Sequence, residues 1–285
     1  MFDSFSVKTI QIAVTIGGNI QIIEGLACEV TVEKPGLPEK NSAAVKIWGL
    51  DRNRMKELTT LSFRPLEMGY NPISIKAGEL GKDGKQPALS LVFQGEITFA
   101  AADFSGAPDP CMDIEAVCGS YPQLMAAPVH TTKGAATADS LFAQWSKEAG
   151  YTYRNEGVTS SVQNAWFPGS PIDKMMKLAR DIRCELLIDD GVVIVLPPGK
   201  VRSGNAVFLS KATGLIGYPT FNQDGIVCKC IYNPDLIHGG LIEVESIVPH
   251  ATEAWKITKL THNLSAYVPG GGNWESQIEA VLNER

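Results

Sequence analysis

Apolar residues recur at every second position over much of this chain, and that period predicts β-strands. Val7 to Ile16 alternates around Ile10, Ile12, Val14 and Ile16, Gly17-Gly18-Asn19 supplies a hairpin turn, and the chain returns as a strand from Ile20 to Glu33. Pro35-Gly36-Leu37-Pro38 is a loop and Ala43 to Trp48 a further strand. Asp51 is placed to cap a short helix whose inward residues are Met55, Leu58 and Leu61. After the break at Gly69-Tyr70-Asn71-Pro72, strands are predicted from Ile73 to Ala77 and from Leu89 to Ala101, separated by a polar turn at Lys82-Asp83-Gly84-Lys85. Met112 to Gly119 starts a new strand-rich section, which is then interrupted.

The interruption shows as a change of period. Thr137 caps a predicted helix with Leu141, Phe142 and Trp145 on one face and Gly150 as its stop, followed by a strand at Tyr151-Thr152-Tyr153. Ser170-Pro171 opens a second helix, with Asp173 three residues after the cap and Ile172, Met175, Met176, Ala179 and Ile182 apolar. It leads into a hairpin of Glu185 to Ile188, the turn Asp190-Gly191, and Val192 to Leu196. A shift of about 34 residues lays Asp139 on Asp173 and Gly157 on Gly191, but two copies are too few for a solenoid, which needs about three. The expectation is a compact α/β insertion over 128–202, left through Pro197-Pro198-Gly199 and Ser203-Gly204-Asn205.

Beyond it the strand pattern resumes. In Ala212 to Ser246, Gly214, Gly217 and Pro219 punctuate an apolar approach, Asp224-Gly225 is a turn, and Ile226 to Tyr232 is a strand ended by Asn233-Pro234. A half-buried strand follows His238-Gly239-Gly240, with apolar and acidic residues alternating from Ile242. Trp255 to Tyr267 and Trp274 to Leu282, around Gly270-Gly271-Gly272, form a closing hairpin. Leu215, Ile216, Tyr218 and Phe221 are apolar residues in a Gly/Pro-punctuated loop, where burial inside one barrel is not guaranteed. They are the candidate protein–protein interface.

Composition narrows the function classes. A chain of 285 residues that is 44% hydrophobic can bury more than one core, and its net charge of −6 argues against a general nucleic-acid or anionic-membrane binder. No apolar run approaches the roughly 20 residues of a membrane span, and the Met1-Phe2-Asp3-Ser4 start lacks signal-peptide character, so cytoplasmic synthesis without membrane contact is expected. The six cysteines lack metal spacing; Cys228 and Cys230, two apart on one strand face, have Cβ atoms about 6.6 Å apart, so free thiols are expected. His130, His238, His250 and His262 show no ligand spacing either. Asp173, Asp181 and Glu185 are the imaginable acid/base group, but the first is better read as helix-start charge and the second as helix surface. No phosphate loop or nucleophile motif is present, and neither cofactor nor catalysis is expected.

Two segments carry a family resemblance. The order of Thr213-Gly214-Leu215-Ile216-Gly217, Pro219-Thr220, a strand, Asn233-Pro234, a glycine break and a second strand resembles the second barrel of the baseplate hub proteins of contractile-tailed bacteriophages. That group includes the late-control-D type tail proteins and, more distantly, the hub part of type VI secretion spikes. Val92-Phe93-Gln94-Gly95-Glu96-Ile97 is similar to a segment of their first, tail-tube-like barrel, and the end from Trp255 resembles their closing hairpin. The resemblance implies a mainly β protein with an α/β insert: a first tube-like β-barrel over 1–110, a second over 111–127 and 203–285, and the insertion domain between. It further implies a structural virion protein without enzymatic activity, assembled in the host cytoplasm into the tail baseplate. A homotrimer would join the six-fold tail tube protein to the three-fold central spike protein, contact other baseplate proteins, and pass genomic DNA through its channel. The alternatives are a tail-tip peptidoglycan hydrolase, or the hub of a contractile injection system or type VI spike lacking its needle.

Overall fold

A computed structural model describes residues 7–16, 18–60, 70–79 and 88–283. The predicted turn at 82–85 and the inward Leu61 lie outside the described residues. The first half of the chain contains β1 (Lys8–Ile16), β2 (Asn19–Glu24), β3 (Cys28–Lys34), β4 (Ser42–Trp48), α1 (Arg52–Thr60), β5 (Pro72–Glu79), β6 (Ala88–Asp103) and β7 (Cys111–Val117). A short helix α2 (Ser120–Leu124) leads to the insert, built from β8 (His130–Thr131), β9 (Ala135–Thr137), α3 (Ala138–Glu148), β10 (Thr152–Asn155), β11 (Ser161–Gln163), β12 (Trp166–Phe167), α4 (Pro171–Ile182), β13 (Glu185–Asp189) and β14 (Val192–Leu196). The last part holds β15 (Val207–Leu209), β16 (Leu215–Phe221), β17 (Ile226–Ile231), β18 (Leu241–Val244), β19 (Ala254–Ala266) and β20 (Trp274–Leu282).

The protein is mainly β, as its alternation predicted. Strands of both halves form one 13-stranded sheet in the order β16-β17-β20-β19-β3-β4-β7-β6-β5-β1-β2, with β18 and then β15 branching from β19. Among the described residues this path is open, and β2 and β16 are its ends. The sheet nevertheless curls, because Lys8 on β1 lies over the ring of Trp274 on β20 at 5.5 Å. Two predicted features differ. The return after the first hairpin is split by Gly25 (φ 72), whose left-handed backbone turns the chain out of β2 and into β3. The segment 111–117, assigned from the sequence to the second barrel, lies between β4 and β6 and places Met112, Ile114 and Ala116 in the core of the first half.

Among the described residues three large hydrophobic cores result, with a small fourth cluster of Leu187, Ile194 and Leu196. The first-half lobe is filled by residues such as Ile12, Val32, Ile75, Phe93 and Ile114, and the second-half lobe by residues such as Leu209, Cys228, Cys230, Trp255 and Ile278. β19 serves both: Trp255, Ile257 and Leu260 enter the second core, whereas Leu264 and Ala266 enter the first. The insert has its own core of Phe142, Trp145, Ile172, Met175 and Leu178 between α3, α4 and the small sheet β10-β14-β13. Its caps form as the sequence indicated. The Thr137 hydroxyl accepts from the Ser140 N–H, and Ser170 and Asp173 make a reciprocal capping box.

Candidate functional site

The insert is tied to the lobes by buried charge. Cys28, Val30 and Val32 of β3 point into the first core, and Lys34, next in phase, carries a cation to the end of that face. Its Nζ donates to Asp189 Oδ1 at 2.8 Å and to Asp190 Oδ2 at 2.7 Å, both at the tip of the β13–β14 hairpin. Arg202, on the way out of the insert, donates from Nη1 to Asp189 Oδ2 at 2.7 Å and to the His238 carbonyl at 3.2 Å. Asn41 donates from Nδ2 to Asp189 Oδ1 at 3.1 Å, and the Gln94 N–H donates to Asp190 Oδ1 at 3.0 Å. One two-residue turn is therefore gripped by the first lobe and by the strand-to-strand segment entering the second.

The side chains of Lys34 and Asp189 are only 6% and 4% exposed, so their charges survive through each other. Burial pushes the Asp189 carboxyl up, but Lys34 and Arg202 outweigh it and hold it below the ordinary carboxylate range. Burial likewise pulls Lys34 down, and the two carboxylates outweigh that and hold it above the ordinary lysine range. Asp190 goes the other way, raised by burial and by the charge of Asp189 against the pull of Lys34. Removing one member of such a set leaves an uncompensated buried charge, at a cost of about 3–5 kcal/mol. A second tie is Lys256 on β19, whose Nζ donates to Glu185 Oε1 at 2.8 Å and Oε2 at 2.6 Å.

The sequence reasoning missed this junction. Its one legible signal was Lys34 itself, a charge at the inward phase of an apolar strand; Asp190-Gly191 reads only as a turn. Among the histidines, His262 is buried on β19, its Nδ1 2.8 Å from Ser276 Oγ, and burial together with the Lys34 charge pushes it down to about 3. His238 Nε2 lies 2.9 Å from the Thr258 carbonyl and is lowered by burial. Gly36 (φ +80) leaves room for it, since a Cβ there would stand 2.8 Å from His238 Cε1. His130 packs on Trp145 inside the insert and His250 sits in an exposed turn, so the four histidines share no site. Asp173, Asp181 and Glu185 are not brought together: Asp173 caps α4, Asp181 pairs with Lys177 at 2.8 Å, and Glu185 holds Lys256. Cys228 and Cys230 are both buried on one face of β17.

The predicted interface loop is instead a strand, β16, at one end of the sheet. Leu215 packs against the second core, while Ile216, Tyr218 and Phe221 are 42%, 66% and 51% exposed. Pairing with β17 loses register between Ile216 and Thr220, so Gly217, Tyr218 and Pro219 form a bulge, helped by the positive φ of 70° at Gly217. Proline and glycine marked this stretch as a loop, but at an edge strand neither breaks the ladder. The opposite edge, β2, exposes Ile20 and Ile22.

Residues 9–267 match the family described as baseplate hub gp41. The chain belongs to that family. Solved structures agree in fold. The 43 kDa tail protein of prophage MuSo2 from Shewanella oneidensis is similar with a TM-score of 0.63 at 9% identity, over 96% of this chain and 97% of that one. A tail protein from Neisseria meningitidis is similar with a TM-score of 0.61 at 10% identity, over 95% and 96%. An E. coli component of the type VI secretion system, described as structurally similar to T4 tail proteins gp27 and gp5, reaches 0.57 at 10% identity, over 95% and 77%. None of the curated proteins matches the sequence. This baseplate hub chain is accordingly a structural component of a phage tail, and it resides in the virion tail.

Proposed function

We propose that the chain is the symmetry adaptor of its baseplate, a homotrimer that joins the six-fold tail tube to the three-fold central spike and encloses part of the channel for the genome. The observation that carries this reading is the pairing of two lobes, each with its own core, into one curled sheet through β3 and β19, within a chain of the hub family. Two tube-like barrel units per chain, one from residues 1–117 with β7 as its last strand and one from 203–285, give six units in a ring of three copies. The 128–202 insertion sits outside the ring and faces other baseplate proteins. Each unit is completed by its neighbour, in keeping with an open sheet whose ends carry exposed apolar residues: Ile216, Tyr218 and Phe221 at β16 meet the next copy, with Leu215 anchoring the strand from behind. The net charge of −6 suits a channel through which DNA must pass without sticking. Work of this kind is binding, and the separate structural duties of Asp173, Asp181 and Glu185 favour it over wall hydrolysis. Assembly takes place in the host bacterial cytoplasm. A cryo-EM reconstruction of the intact tail tests the placement. A six-lobed ring of this chain between tube and spike is expected, and finding the chain at the baseplate periphery would overturn the reading.

A further inference from the structure

A crevice of about 1040 Å³ separates the insert from the lobes, between α4 and β13 on one side and the 35–38 loop, β19 and β20 on the other. That is at the upper end of the range for ligand clefts, roughly 300–1,000 Å³. One wall is a strand edge. β13 pairs with β14 alone, and in a two-residue hairpin the residues flanking the turn, Asp189 and Val192, exchange hydrogen bonds. Bonded positions then recur at Leu187 and Glu185, which turns the main chain of Ile188 and Leu186 outward. The Ile188 carbonyl obeys this register, accepting from Asn41 Nδ2 at 3.2 Å. Leu186 is the next outward position, lines the crevice, and has no main-chain partner on that side among the described residues.

The rim adds charge. Arg180 and Arg183 line the crevice, and neither guanidinium meets a carboxylate among the described residues. The one carboxylate on that wall, Glu185, is neutralised by Lys256. Apolar surface lies between, from Leu37 on the loop to Val281 on β20. We propose that this crevice receives an extended segment of another polypeptide, alternating apolar and acidic residues, which adds a strand to β13 at Leu186. Its apolar residues cover Leu37 and Val281, and its carboxylates meet Arg180 and Arg183. The inference concerns a partner of the insert and does not depend on the number of copies in the hub.

Cys184 gives a local reporter, since it is partly exposed at the crevice while the other five cysteines are buried. The probe is a capped hexapeptide alternating valine and glutamate, with a valine–lysine counterpart as control. The acidic peptide is expected to bind saturably, to slow alkylation of Cys184 by iodoacetamide at least tenfold, and to slow amide exchange at Leu186 but not at Leu187. The lysine peptide should do none of these. In the double variant R180E/R183E, whose fold is checked by circular dichroism, the preference should reverse, with the acidic peptide weakened at least tenfold. Failure of the acidic peptide to saturate, equal binding of both peptides, or saturation that leaves Cys184 alkylation and Leu186 exchange unchanged would each overturn the proposal.

Discussion

β3 and β19 join the two lobes through seven consecutive paired positions, from Lys34↔Leu260 to Cys28↔Ala266, whereas the insert meets the same lobes through side chains, the charges of Asp189, Asp190 and Glu185 together with apolar packing at Ile188 and Leu37. Main-chain pairing tolerates many side chains and fails as a unit when its ladder is cut. Charge contact depends on the identity of each partner, and losing one member harms more than losing all. The two junctions should therefore respond oppositely to point changes and to deletion.

The largest effect is expected from Leu264→Pro. It cuts a strand paired on both sides and empties a place in the first core, costing at least about 5 kcal/mol from the proline and the lost side chain together. Chemical denaturation should show both lobes lost together, and a surviving transition of normal midpoint would separate them. Next, Asp189→Ala leaves Arg202 without a carboxylate and Lys34 with Asp190 alone, and should cost about 3–5 kcal/mol. Replacing 129–202 by a short Gly/Ser linker removes Asp189 as well but opens Lys34 and Lys256 to water. The deletion should leave a folded β-rich remainder whose lobe transition is disturbed less than by Asp189→Ala. Calorimetry in which the deletion is the more damaging of the two would show that packing at Ile188 and Leu37 outweighs the charge clasp.

A smaller, pH-dependent effect comes from His262. The folded chain holds it neutral, pushed down from 6.5 to about 3, while the unfolded chain takes up a proton below about 6.5. Stability therefore falls as pH drops through that window, by about 1.4 kcal/mol per unit. Between pH 6.5 and 4.5 the wild type should lose about 2–3 kcal/mol more than His262→Gln, as read from urea midpoints at each pH. Equal losses would mean that the ring is protonated inside the fold. The smallest effect on folding is expected at the outer edge, where Ile216→Asp should change monomer stability by no more than about 0.5 kcal/mol.

Legibility in the sequence followed the same division. Period-2 runs such as Val7–Ile16 and Trp255–Tyr267 found their strands, and the Ser170/Asp173 box found α4, because these signals are local. The pairing of β3 with β19 joins residues more than two hundred positions apart through main-chain groups that every residue carries, so no side chain announces it. β7 was placed in the wrong half of the sheet for the same reason. The clasp left one trace, the in-phase Lys34, while its partners looked like a surface turn. At β16, Gly217 and Pro219 read as loop punctuation because an edge strand may contain both. Ile216, Tyr218 and Phe221, named from the sequence, are exposed in the structure, but only the sheet order shows that they sit on an open edge.

Native mass spectrometry of the purified chain mixed with the spike and tube proteins of the same tail decides whether it forms the proposed trimer. Three copies of this chain per complex are expected, with loss of that stoichiometry in Ile216→Asp while the monomer stays folded. A monomer in every partner mixture, or a ring of six copies, would contradict it.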